Sequence, residues 1–142
     1  MVYELKVERR EAGQPVKNYS LFESAWDTCI ELRQTEKYTW TSRSILALQS
    51  LDRWEIAVWY NGEAVGGLVL GHEEWDAHVG TCLTVYAQYV QPEHRNNLIS
   101  FKCMRAALAI AKDLGYKTLA YTHRLAPWRY ITTYKDIKYE ES

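Results

Sequence analysis

The sequence predicts an α/β fold, a mixed, twisted β-sheet with helices on both faces, in the order β-α-α-β-β-β-α-β-β. Three observations predict it. Residues 81–122 read strand, polar loop, long apolar helix, strand, the alternation that lays a helix on a sheet. Asn61-Gly62 lies between two apolar β-like runs and is the strongest short hairpin signal. A final β-like run, 128–137, follows the preceding strand after too few residues for a crossover helix, so it returns antiparallel. With 142 residues, 47% hydrophobic and 25% charged, the chain is sized and composed for one domain, 1–142.

Taken in order, Val2, Tyr3, Leu5 and Val7 mark a first strand, and 8–17, charged and holding Gly13 and Pro15, a loop. Ser20-Leu21-Phe22-Glu23 has the form of a capping box. Phe22, Trp26, Cys29 and Leu32 follow at helical spacing, which predicts a helix over 21–33. Residues 34–40 read as a polar break, after which Thr41 or Ser42 can cap a short second helix carrying Ile45, Leu48 and Leu51. The hairpin strands are 54–60 and 63–71, and Gly66-Gly67 permits a bulge or a close backbone approach. Residues 72–80 read as a polar loop. In the helix 98–114, Phe101, Met104, Leu108 and Ala111 form one apolar stripe, and Cys103, Ala107, Ile110 and Leu114 the adjacent one. Lys102, Arg105 and Lys112 mark its wet side, and Gly115 suits the left-handed cap. A strand over 116–122, a loop over 123–127 and the last run complete the chain. Pro127 disfavours helix at Ala126, and Arg129-Tyr130-Ile131-Thr132-Thr133-Tyr134 is rich in β-branched and aromatic residues.

A net charge of −1 and a pI near 6.4 argue against non-specific nucleic-acid binding, which needs a basic field. Cys29, Cys82 and Cys103 are odd in number and widely spaced, as expected of reduced thiols in a cytoplasmic protein, with Cys103 a buried structural thiol. No signal peptide stands at Met1 and no apolar run approaches a membrane span, so no membrane partner is expected. His72, Glu73, Asp76 and His78 lack the spacing of a standard ligand set, so no metal is expected.

The loop 91–97 empties into the start of the helix, where backbone N–H groups without helical partners and the helix dipole favour an anion. Its residues carry a family likeness. Val90-Gln91-Pro92-Glu93-His94-Arg95, then Asn96-Asn97-Leu98-Ile99-Ser100, then an apolar helix ending in Leu114-Gly115-Tyr116, resembles the GNAT acyl-CoA N-acyltransferases. The family pattern is a strand ending in Val, Pro-Glu-(Tyr/His)-Arg, then Gly-x-Gly or Gly-x-Ala. Here Leu98 and Ser100 replace the two small residues. The tail, Tyr121-Thr122-His123-Arg124, a short turn, then Arg129-Tyr130 and Tyr134, resembles small GNAT-like proteins of tailed bacteriophages, in which the last helix is shortened or missing.

The resemblance implies acetyl-CoA as co-substrate. Its pyrophosphate would lie on Arg95, Asn96, Asn97, Leu98, Ile99 and Ser100, and its pantetheine amides would pair with the strand edge at Tyr89 and Val90, where a bulge splays two parallel strands. Leu98 either obstructs the phosphate or points into the core and leaves the N–H groups free. Amine acylation needs a base and a proton donor for the leaving thiolate. Glu73, Glu74 or His72, and His123, are placed to supply a base, and Tyr121, Tyr130 or Tyr134 the proton. Glu74, His123 and Tyr134 are the catalytic candidates. Two functions follow. One is transfer of acetyl to an amine whose identity the sequence does not give. The other is a GNAT fold with weak or no chemistry that binds a protein, for example a host enzyme if the source is a phage. In either case the open side of the cleft would admit a large partner or a second copy of this chain.

Overall fold

The computed structural model describes residues 2–139. Six strands form one sheet in the order β1 to β6: β1 Glu4–Arg10, β2 Arg53–Tyr60, β3 Glu63–Asp76, β4 Gly80–Val90, β5 Thr118–Ala126 and β6 Arg129–Asp136. Every neighbouring pair is antiparallel except β4 and β5. Helices α1 (Ser20–Thr28) and α2 (Lys37–Gln49) pack on one face, where Leu48 of α2 meets Val16 and Val69. Helix α3 (Ile99–Asp113) packs on the other, over Ile56, Leu70, Leu83 and Leu119. The expected order and layering are those observed. Among the described residues no helix is long and apolar enough to cross a membrane.

Both N-terminal helices depart from expectation. The capping box does not form: Ser20 is already helical, and Tyr19 precedes it with no side-chain cap. The helix also stops at Thr28, not Arg33. Thr28 Oγ1 donates back to Ser24 O at 2.9 Å, Cys29 turns extended, and a 3-10 turn, Ile30–Gln34, takes over. Helix α2 begins at Lys37, inside the expected break, because Glu36 caps it. Its carboxylate accepts from the N–H of Tyr38 at 2.9 Å and of Thr39 at 3.0 Å, bonds that hold its pKa down. Neither Thr41 nor Ser42 is the cap.

The predicted loop 72–80 is mostly strand. Strand β3 runs on to Asp76, where the Asp76 carboxylate accepts from the His78 N–H at 2.7 Å and Gly80 takes a φ of 79° to return the chain. The polar, exposed side chains of 72–75 conceal this extension from a pattern reading. Likewise β5 extends through most of the predicted loop 123–127, and the turn shrinks to Pro127 and Trp128, the latter at φ 68°. The antiparallel return of the last run is present from Thr118↔Asp136 to Ala126↔Arg129.

Glycine fixes the sheet at two places. Gly66 lies beside a bulge in the β2–β3 register, and a Cβ there would stand 2.7 Å from Ile99 Cγ2, so its absence lets the first turn of α3 settle onto β3. A Cβ on Gly71 would fall 1.7 Å from the Tyr86 ring. Tyr86 is the extra residue of β4, since Val69 pairs with Ala87 and Leu70 with Val85. Across that bulge Tyr86 and Ala87 both pack toward the α1–α2 side. On α3 the buried line is Ile99, Cys103, Ala107 and Ala111, narrower than the two expected stripes. Phe101, 57% exposed, lies outside it under the Arg105 guanidinium. Gly115, at φ 81°, closes the helix: its N–H bonds Lys112 O and that of Tyr116 bonds Ala111 O, each at 3.0 Å.

Candidate functional site

The parallel pairing of β4 and β5 consists of Leu83 with Leu119 and Thr84 with Ala120. Beyond it the strands part, and the edge of β4 from Val85 to Val90 has no β5 partner. The splay therefore opens at Thr84, and the nearest bulge is at Tyr86, further back than the expected position beside Tyr89 and Val90. A cleft of about 850 Å³ fills the fork and continues beneath α1 and α2. Tyr89, Val90, Arg95 and Ser100 line its α3 end, and His123, Arg124 and Tyr130 its hairpin end.

At the mouth of the fork the chain makes a short 3-10 turn, Pro92–His94, and enters α3. The turn is tied down: Gln91 N–H bonds Val65 O at 2.9 Å, and Tyr3 Oη lies 2.9 Å from His94 Nδ1. Leu98 sits in the left-handed region at φ 57°, ψ 26°, and is 69% exposed. It is not packed in the core. Leucine here holds the backbone shape that glycine adopts without strain. Among the described residues nothing accepts from the N–H of Leu98, Ile99, Ser100 or Phe101; the first helical bond is from Lys102 to Leu98 O. Ile99 anchors this cluster of donors, being 1% exposed against Gly66.

Arg95 folds its Nε onto Val90 O at 3.0 Å, with the guanidinium 5.6 Å from the Tyr89 ring. Its two terminal nitrogens make no hydrogen bond among the described residues. Tyr89 turns the other way: its hydroxyl lies 2.8 Å from Thr28 Oγ1 and 3.1 Å from Ser24 Oγ, tying β4 to α1. Asn97 closes the loop on itself through His94 O, and Asn96 is exposed.

The three catalytic candidates are not brought together. His123 lines the cleft. Glu74 is exposed on β3 and does not line it; burial, and after it the Glu74 carboxylate, raises the Tyr86 phenol pKa. Tyr134 is held at the outer end of the sheet, donating to Asp76 Oδ2 at 3.0 Å and lying 3.2 Å from His78 Nδ1. Its pKa is raised, chiefly by the Asp76 carboxylate.

One cluster escaped the sequence reading. Glu31, in the 3-10 turn after α1, is buried and takes a forked bond from Arg124, Nε to Oε2 at 2.6 Å and Nη2 to Oε1 at 2.9 Å. Tyr130 Oη donates to Oε2 at 2.7 Å. These bonds hold the Glu31 carboxyl well below the usual carboxylate range, Arg124 first among them. Burial and the same carboxylate push the Tyr130 phenol up to about 12. The cluster straps the α1–α2 connection to the β5–β6 hairpin. No local pattern marks it, because its partners lie more than ninety residues apart.

Among the described residues no group of three or more His, Cys, Asp or Glu is placed to hold a metal ion. A sequence profile described as the acetyltransferase (GNAT) family matches residues 18–127. The chain belongs to that family. Solved GNAT structures share its fold. An aminoglycoside acetyltransferase from an uncultured soil metagenomic sample superposes with a TM-score of 0.60 at 17% identity, over 87% of this chain and 82% of the other. A GNAT acetyltransferase from Brucella melitensis in complex with acetyl-CoA superposes with a TM-score of 0.63 at 10% identity, over 98% and 92%. The PaiA N-acetyltransferase of Thermoplasma acidophilum, in complex with coenzyme A, gives 0.63 at 12% identity, over 88% and 82%. No curated protein matches the chain in sequence. This GNAT chain has forked strands and a donor-rich helix start, and reaches the latter through a leucine in the left-handed region.

Proposed function

We propose that this GNAT chain is a single-domain, cytoplasmic N-acetyltransferase that moves the acetyl group of acetyl-CoA to an amine. The observation that carries this is the set of four unbonded N–H groups, Leu98 to Phe101, opening on the β4–β5 fork. A diphosphate needs convergent donors and a cation. The helix start supplies the donors and the free end of Arg95 the cation, with Asn96, Asn97, Ile99 and Ser100 framing them. The unpaired edge of β4 at Tyr89 and Val90 suits the pantetheine amides, which would add to the sheet as a strand does. Two GNAT structures of this fold carry acetyl-CoA or coenzyme A, which supports the same ligand here.

Catalysis in this reading is mainly positioning. The amine enters from the hairpin end, Glu74 or His123 receives its proton through water, and the leaving sulfur is protonated by a phenol. Tyr130 already lines the cleft, but its hydroxyl is given to Glu31 as that of Tyr134 is to Asp76, so either phenol must first leave its carboxylate. Acetyl-CoA should raise the melting temperature, and thiol release should depend on added amine. No stabilisation at millimolar acetyl-CoA would contradict the proposal.

A second reading has a specific observation behind it. Leu98 stands exposed at the start of α3, and the hairpin tip presents Trp128, 62% exposed, with Leu125 exposed near it in sequence. A GNAT fold with little chemistry, phage-encoded and bound to a host protein or to a second copy of itself, would use that tip. Trp128→Ser would then abolish partner binding and leave acetyl-CoA binding unchanged.

A further inference from the structure

We infer that the amine acceptor is an apolar monoamine with an aromatic body, and that it lies under α1 and α2; this rests on the acetyltransferase reading above. The wall there is Leu21, Phe22, Cys29, Trp40 and Leu48, apolar apart from Asn18 and Ser44. Phe22 and Trp40 form an aromatic corner, with ring centroids 6.3 Å apart and planes inclined at 47°. Such a corner receives another ring edge-on or offset. Away from Arg95 at the α3 end, the charged side chains along the cleft are already matched. Glu55 is held by Arg53 at 2.9 Å and by the Lys17 N–H at 2.9 Å. Arg124 is held by Glu31 at 2.6 Å. No lining carboxylate is left for a polycation, and several ammonium groups would enter an apolar space unpaired, at high cost.

One nitrogen, in contrast, is provided for. Asn18 Oδ1 and Tyr86 Oη belong to residues that line the cleft, are buried, and have no partner among the described residues. The amide oxygen and the phenol oxygen can each accept from N–H. Unmet buried acceptors of this kind are rare and mark a place for a donor. The apolar wall also disfavours the ammonium form, so the amine arrives neutral and nucleophilic. In the reaction the amine nitrogen forms a bond to the thioester carbonyl carbon and the carbon–sulfur bond breaks. The nitrogen loses one proton, the sulfur gains one, and the products are the N-acetylated amine and free coenzyme A.

The experiment uses the full chain with phenethylamine, tryptamine, spermidine and kanamycin. Thiol release is followed with acetyl-CoA, and binding of each amine is measured by calorimetry with and without coenzyme A. The aromatic monoamines are expected to bind and to show a kcat/KM at least about tenfold above spermidine and kanamycin. In Trp40→Ala, KM for phenethylamine should rise roughly tenfold while kcat changes little. Acetyl-CoA turnover with spermidine or kanamycin preferred would overturn the inference and leave the acetyltransferase reading standing. Absence of coenzyme A binding would remove that reading. Absence of phenethylamine and tryptamine binding, with or without coenzyme A, overturns the inference by itself.

Discussion

Leu98 holds a backbone shape that costs a non-glycine residue about 1–2 kcal/mol, and it is mostly exposed, so little packing repays that cost. Leu98→Gly therefore removes strain while adding unfolded-state entropy worth about 0.5–1 kcal/mol. The expected net effect is a gain in stability of up to about 1.5 kcal/mol in urea unfolding, together with tighter coenzyme A binding as the leucine side chain is removed from the helix start. A loss of stability would mean that the leucine side chain packs where the structure leaves it open. The sequence marked this residue as the family's missing glycine but left open which way it pointed. That depended on φ, which no neighbouring residue type dictates. Arg95 was legible as the cation of the loop, whereas its bond back to Val90 O was not, since it needs the strand end and the loop in register.

Among the elements, the bulge at Tyr86 shapes the cleft most. Gly71 gives the ring its space, and a methyl group there must displace it. Gly71→Ala is expected to destabilise the fold by about 1–3 kcal/mol, the range for overpacking a filled site, and to alter amine turnover more than coenzyme A binding. Equal stability of the two proteins would show that the ring moves freely. Elements with a strong period were readable from sequence: the Asn61-Gly62 hairpin, the apolar α3 and the antiparallel return of β6. Those set by side-chain contacts were not. Helix α1 ends early because Thr28 bonds back to Ser24, and α2 starts early because Glu36 caps it. The polar extension of β3 to Asp76 is held by pairing with β4, and an isolated strand of that composition carries no signal of it.

At the scale of the molecule, two connections fix the cleft: Ile99 on Gly66 at one end, and the Glu31–Arg124–Tyr130 strap at the other. The strap carries a pH dependence. Glu31 has a folded-state pKa depressed below the ordinary glutamate value of about 4.3. Its contribution to stability is therefore complete above that value and is lost as pH falls below it toward the folded pKa. Between about pH 5 and pH 3 the melting temperature should fall more steeply in the wild type than in Glu31→Gln, where the group cannot titrate. Parallel slopes would show that the strap is not coupled to folding.

The central claim is that acetyl-CoA binds in the fork, on the N–H groups at the start of α3 and on Arg95. Calorimetric titration of acetyl-CoA into the wild type and Arg95→Ala tests it most directly. The account expects one site per chain, and a loss of about 1.5–3 kcal/mol in the variant, the cost of a charge-assisted hydrogen bond. Absence of wild-type binding at millimolar ligand, or equal affinity in the two proteins, would contradict it.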